Sequence, residues 1–87
     1  MQFQSRLLPL SEMHEKDKIG CVCVKILDIG PPKTSRKNWA FRKLVVEDGS
    51  MESEMLIGED KFSEWSFRTG DYVACTVKSW GMGKTVL

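Results

Sequence analysis

Histidine is almost missing from this 87-residue chain, which carries only His14. Cysteine appears three times, as Cys21, Cys23 and Cys75. A structural zinc site takes about four nitrogen or sulfur ligands. That shortage leaves no ligand set, and neither a metal nor another cofactor is expected. An odd cysteine count without framework spacing also excludes a secreted disulfide scaffold. The three thiols read instead as small apolar residues of a reducing compartment. Long apolar runs are missing too, and none approaches the ~20 residues of a membrane-spanning helix. The opening Met1-Gln2-Phe3-Gln4-Ser5-Arg6 meets only a few apolar residues before charges begin, unlike a secretory signal. No membrane partner is therefore expected. Net charge is nearly absent at +1, so the protein is not globally basic.

What is present is ordinary globular composition: 41% apolar and 29% charged residues. The length fits one domain over residues 1–87, with 1–18 as a lead-in. The charges are sorted along the chain. Lys33, Arg36, Lys37, Arg42 and Lys43 follow one another with no acid between them. Glu47, Asp48, Glu52, Glu54, Glu59 and Asp60 then follow with no base. A near-neutral protein with one basic lobe can still hold phosphates there.

Residues 19–29 are rich in β-branched side chains and read as a first strand. Val22, Val24 and Ile26 fall on one face, and Cys21, Cys23, Lys25 and Leu27 on the other. Gly30-Pro31-Pro32 ends it, because proline cannot donate to a ladder. A loop of Lys33 to Asn38 follows. A second strand spans 39–48, with Leu44 and Val46 opposite Trp39, Phe41, Lys43 and Val45. Asp48-Gly49 marks a hairpin turn. A third strand over 52–57 runs into a short helix inside 59–67, with Phe62 and Trp65 on one side. A fourth strand covers 72–79, Trp80 to Gly83 is a loop, and Lys84 begins a fifth strand. The chain stops at Leu87, so it reads as an excised domain or the end piece of a larger protein. This order predicts an all-β fold: a five-stranded Greek-key barrel of the oligonucleotide-binding (OB) type, with one short helix between strands three and four that plugs the barrel bottom. Val22, Val24, Leu44, Val46, Leu56, Phe62 and Val73 are expected inside, and Trp65 with them.

Several segments carry a resemblance in the same order. They are Pro9-Leu10-Ser11-Glu12, Leu44-Val45-Val46-Glu47-Asp48, Leu56-Ile57-Gly58-Glu59-Asp60, Gly70-Asp71-Tyr72-Val73 and Trp80-Gly81-Met82-Gly83-Lys84. Together they resemble the single-stranded-DNA-binding domains of the replication protein A large subunit and their telomere-end-binding relatives, over most of residues 8–87. The resemblance implies an intracellular, nuclear protein of DNA replication, repair or telomere maintenance. Its partners would be single-stranded DNA, or RNA, and other subunits of a DNA-maintenance complex. It places two base-stacking positions at Ile57 and Trp80. The aliphatic Ile57 departs from the family's aromatic, and Phe41 or Trp39 on the neighbouring strand would supply the missing platform. The family's zinc-bearing variant has four cysteine ligands that this chain lacks.

Read by its own residues, the basic loop with its neighbouring aromatics suits a single strand: charges track phosphates while rings stack on bases. The candidate nucleic-acid-binding residues are Lys33, Arg36, Lys37, Trp39, Phe41, Lys43, Ile57, Trp80 and Lys84. Trp39 has a competing role as a cap on the barrel end, and the lysines as solvating charges. The other class of function is protein docking within a multi-subunit complex. Catalysis is not expected. Gly83-Lys84-Thr85 has Lys78 where a phosphate-binding loop needs glycine. The carboxylate pairs Glu47/Asp48 and Glu59/Asp60 have neither pocket nor nucleophile. They read as turn and helix-start residues.

Overall fold

A computed structural model of the protein describes residues 6–87. The first five residues of the lead-in, and with them the signal-peptide reading, lie outside the described residues.

The strands form where apolar side chains alternate. They are β1 (Ile19–Ile29), β2 (Lys33–Thr34), β3 (Ala40–Glu47), β4 (Glu52–Gly58), β5 (Tyr72–Gly81) and β6 (Lys84–Val86), with one helix, α1 (Glu59–Trp65), between β4 and β5. The sheet runs β1-β5-β6-β4-β3, and β1 pairs with β3 to close it. β1 manages both edges because it is long. Ile19 to Lys25 pair with β5, and Lys25 to Ile29 pair with β3 across a register shift between Ile26 and Asp28. All pairings between these strands are antiparallel except β4 with β6, where Met55 meets Thr85 and Leu56 meets Val86. The result is a closed five-stranded barrel of OB-like form. The segment expected as a loop contains β2, a two-residue strand paired to Phe41 and Ala40.

Val22, Val24, Ile26, Leu44 and Val46 fill the barrel as the alternation predicted, with Met55, Ile57, Cys75 and Val77. On β4 the parity is the reverse of the expectation. Met55 and Ile57 point in, and Leu56 points outward, half-buried. The register explains this. Leu44 stands opposite Met55, and directly opposed residues share a face. Ile57 is 0% exposed, so its assignment to a binding surface is corrected: it is a core residue. The acids Glu52 and Glu54 hold the parity that the adjacent pair Leu56-Ile57 conceals.

The two barrel ends close differently. Leu10, on a 3-10 turn over Leu10–Glu12, and Met13 are fully buried. Hydrogen bonds pin this lead-in. The Leu10 N–H donates to Asp48 Oδ2 at 2.6 Å, and the Met13 carbonyl accepts Ser79 Oγ at 2.7 Å and the Gly83 N–H at 2.9 Å. The helix α1 sits at the other end but buries no residue completely. Phe62, Phe67 and Val73 pack against the core half-buried. Trp65 is 45% exposed, which corrects its expected place inside. A helix of seven residues offers the barrel one short stripe, which Phe62 takes. Ser66, at φ 52°, then turns the chain so that Phe67 packs on the core instead of Trp65.

Candidate nucleic-acid interface

The outer face begins at the turn between β2 and β3. Ser35 organises it: Ser35 Oγ accepts the N–H groups of Lys37 (3.3 Å) and Trp39 (3.1 Å), and its own N–H donates to the Trp39 carbonyl at 2.9 Å. Arg36 and Lys37 are thereby displayed at the tip, exposed. Lys33 stands directly opposite Phe41. None of the ion pairs among the described residues involves Lys33, Arg36 or Lys37.

Trp39 stacks on Phe41, with ring centroids 4.9 Å apart and planes 15° apart. The two rings form one continuous aromatic surface, with Phe41 on the side of β3 opposite Leu44 and Val46. The Trp39 indole lies over the end of β4. A Cβ added at Gly58 would stand 3.3 Å from Trp39 Nε1, so the glycine lets the ring settle against the sheet.

The row continues across the sheet. Lys43, two residues after Phe41, lies 3.7 Å from Glu54 Oε1 on β4. Glu54 Oε2 lies 3.9 Å from Lys84 Nζ on β6. Lys84 Nζ lies 5.6 Å from the centroid of the Trp80 ring on β5. Trp80 is 42% exposed, as a ligand-facing ring would be, but its setting differs from the expected loop. Strand β5 continues through Gly81, and the register slips between Ser79 and Gly81. Trp80 is the extra residue of a β-bulge, a device that re-aims a side chain. The turn itself is the two residues Met82 (φ 57°) and Gly83 (φ 78°), both in the left-handed region that a tight hairpin requires. Met82 is among the most exposed apolar side chains, beside Trp80 at the hairpin tip.

No family model matches the chain, and no curated protein or solved structure matches it.

The candidates Lys33, Phe41, Lys43, Lys84, Trp39 and Trp80 are therefore brought to one connected face, with Arg36 and Lys37 at its border and Ile57 excluded. Sequence reasoning missed Glu54, whose period-2 spacing from Glu52 placed it outward in the middle of this face. The other basic residue of the segment, Arg42, serves the fold. Its Nε and Nη2 grip Glu59 at 2.8 and 3.0 Å, and its guanidinium lies 4.3 Å from the Phe62 ring centroid. The hydrogen bond from Arg42 lowers the Glu59 pKa below the ordinary carboxylate value, against an opposing effect of burial.

Elsewhere, burial would raise the Asp48 carboxyl, but hydrogen bonds from Ser50, Leu10 and Met51 outweigh it and hold the pKa below normal. Burial pushes the Cys75 thiol up to about 11, with Cys21 and Cys23 adding to the rise. A separate cleft of about 450 Å³, lined by Trp65, Phe67 and Tyr72, lies between α1 and the start of β5.

Proposed function

We propose that the protein is a single-stranded nucleic-acid-binding module, with DNA as its ligand, acting without catalysis in DNA replication, repair or telomere maintenance inside the nucleus. One observation carries this reading. Two aromatic platforms, Trp39/Phe41 and Trp80, stand at the ends of a row whose middle holds Lys43 and Lys84. The exposed rings of Trp39 and Trp80 give bases a stacking surface, and each stacked base contributes about 1–3 kcal/mol. The ammonium groups between them offer charge to phosphates. Their pairs with Glu54 are long and part-exposed, and such pairs are worth about 0–1 kcal/mol, so phosphates can displace them. Lys33, Arg36 and Lys37 extend the positive edge. The likeness to the replication protein A and telomere-end-binding domains supports the same reading.

The test is a titration of labelled single-stranded DNA at two salt concentrations. Binding that weakens steeply with salt is the expected result. Affinity that ignores salt, or no binding at low salt, sinks the reading.

A second reading is protein docking. The exposed Trp65 and Tyr72 beside the cleft at α1 favour it, because that surface lies apart from the cationic row.

A further inference from the structure

Glu54 places a carboxylate in the centre of a surface otherwise made of cations and aromatic rings. It is held on a strand, opposite Val45, so its backbone position is rigid. Its oxygens lie 3.7 and 3.9 Å from Lys43 Nζ and Lys84 Nζ. Both distances exceed hydrogen-bond length, so the lone pairs of the carboxylate stay open to a closer donor. The side chain is 34% exposed, enough for a ligand to reach it.

A negative group here constrains how a single strand can lie. Phosphates are repelled from Glu54 and drawn to the lysines on either side. A strand stacked on Trp39/Phe41 and on Trp80 must therefore turn base edges, not backbone, toward the carboxylate. In a single strand those edges are the unpaired Watson–Crick edges. Guanine presents two adjacent donors there, N1–H and N2–H, which a carboxylate accepts together. Thymine presents one N–H between two carbonyl oxygens. Adenine and cytosine place a ring-nitrogen acceptor beside their amino group. Against a carboxylate these acceptors are unfavourable, and a two-bond contact of this kind discriminates by about tenfold or more.

We infer that Glu54 is a specificity-determining residue of the proposed interface: it accepts both donors of a guanine edge and makes the site prefer guanine-containing single strands over thymine-only ones. This rests on the single-strand reading above. Lys43 and Lys84, one on either side of the carboxylate, meet the phosphates that flank the guanine.

The experiment compares labelled DNA strands of about 12 nucleotides, within the range of one OB barrel. One is all thymine, one all cytosine, and one a thymine tract with guanine at alternate positions. Each is titrated against the wild-type protein and against Glu54→Gln, with melting curves to confirm that both fold. The wild type should bind the guanine-containing strand about tenfold more tightly than either of the others. Glu54→Gln, whose amide puts an NH2 group where the carboxylate has its second acceptor oxygen, should lose most of that preference. Equal binding of all three strands by the wild type overturns the inference and leaves the single-strand reading standing. So does an equal gain on every strand in Glu54→Gln, which would make Glu54 a mere counter-charge. If the wild type binds no strand even at low salt, the single-strand reading fails and the inference falls with it.

Discussion

Asp48 accepts the backbone N–H of Leu10 at 2.6 Å across 38 residues of chain. The same carboxylate, through its other oxygen, takes the N–H and hydroxyl of Ser50 and the N–H of Met51. One side chain thus shapes the β3–β4 turn and ties the lead-in to the barrel end. Leu10 is wholly buried, so its N–H has no water to replace Asp48. Asp48→Ala should cost about 1–3 kcal/mol in stability, the penalty of an orphaned buried donor. The folded-state pKa of Asp48 lies below its unfolded value of about 3.9. Its contribution is therefore complete above that value and is lost as pH falls through the folded pKa. Melting temperatures followed from about pH 5 downward should fall less steeply in Asp48→Asn than in the wild type. Identical acid profiles would mean that Asp48 does not carry this coupling.

Trp80 and Ile57 should separate cleanly in mutagenesis. Trp80→Ala removes an exposed ring from a bulge, so single-strand affinity should drop by about 1–3 kcal/mol. Stability should change by less than about 1 kcal/mol. Ile57→Ala opens a cavity in a filled barrel and should cost about 2–5 kcal/mol in stability. Chemical denaturation and DNA titration on the same samples decide the matter. A large melting loss in Trp80→Ala would place that ring in the core.

Trp65→Ala tests the aromatic cleft against the interface. Half-exposed at the end of α1, Trp65 touches Phe67 at 5.4 Å between centroids. Its loss should cost well under the ~3–5 kcal/mol of a buried tryptophan and leave DNA affinity unchanged. Reduced DNA binding in Trp65→Ala would move the interface to the wrong side of the barrel.

Salt dependence should report the basic edge. Each phosphate contact removed lowers the slope of log affinity against log salt by about 0.7 for a single strand. Lys33→Ala, Arg36→Ala and Lys37→Ala should each reduce it by about that amount or less. Arg42→Ala should instead destabilise the fold, because its guanidinium is occupied by Glu59 and Phe62. An unchanged slope in all three loop variants would remove that loop from the interface.

Thiol chemistry provides an independent check of the barrel. Cys23 is exposed and Cys75 buried, with the Cys75 thiol pushed up to about 11. Because thiolate is the reactive form, a thiol reagent near neutral pH should modify Cys23 in the native protein and reach Cys75 only on unfolding. Rapid labelling of Cys75 under native conditions would contradict its inward orientation.

The strands were legible because a half-buried strand repeats every two residues. Val22, Val24 and Ile26 recur at every second residue, as do Leu44 and Val46, so their side of the sheet follows from chain order. Asp48-Gly49 and Gly30-Pro31-Pro32 break the backbone by chemistry local to those residues. The basic lobe and the exposure of Trp80 were legible for the same reason, since both depend on nearby sequence.

Pairing decided the rest. Leu56 and Ile57 are adjacent and both apolar, and only the register of β4 against Leu44 chooses which one is buried. Trp65 stays outside because the barrel end is already filled by Phe62 and Phe67, a competition for space between residues on different elements. Arg42 and Lys43 look alike in the chain. Arg42 meets Glu59 at the helix start while Lys43 reaches the outer face. The row from Trp39 through Glu54 to Trp80 joins two hairpins, β3–β4 and β5–β6, that lie apart in sequence, and only the parallel pairing of β4 with β6 makes them neighbours. A period of two residues sorts side chains between two faces. Which chains lie beside one another is set by packing and long-range hydrogen bonds.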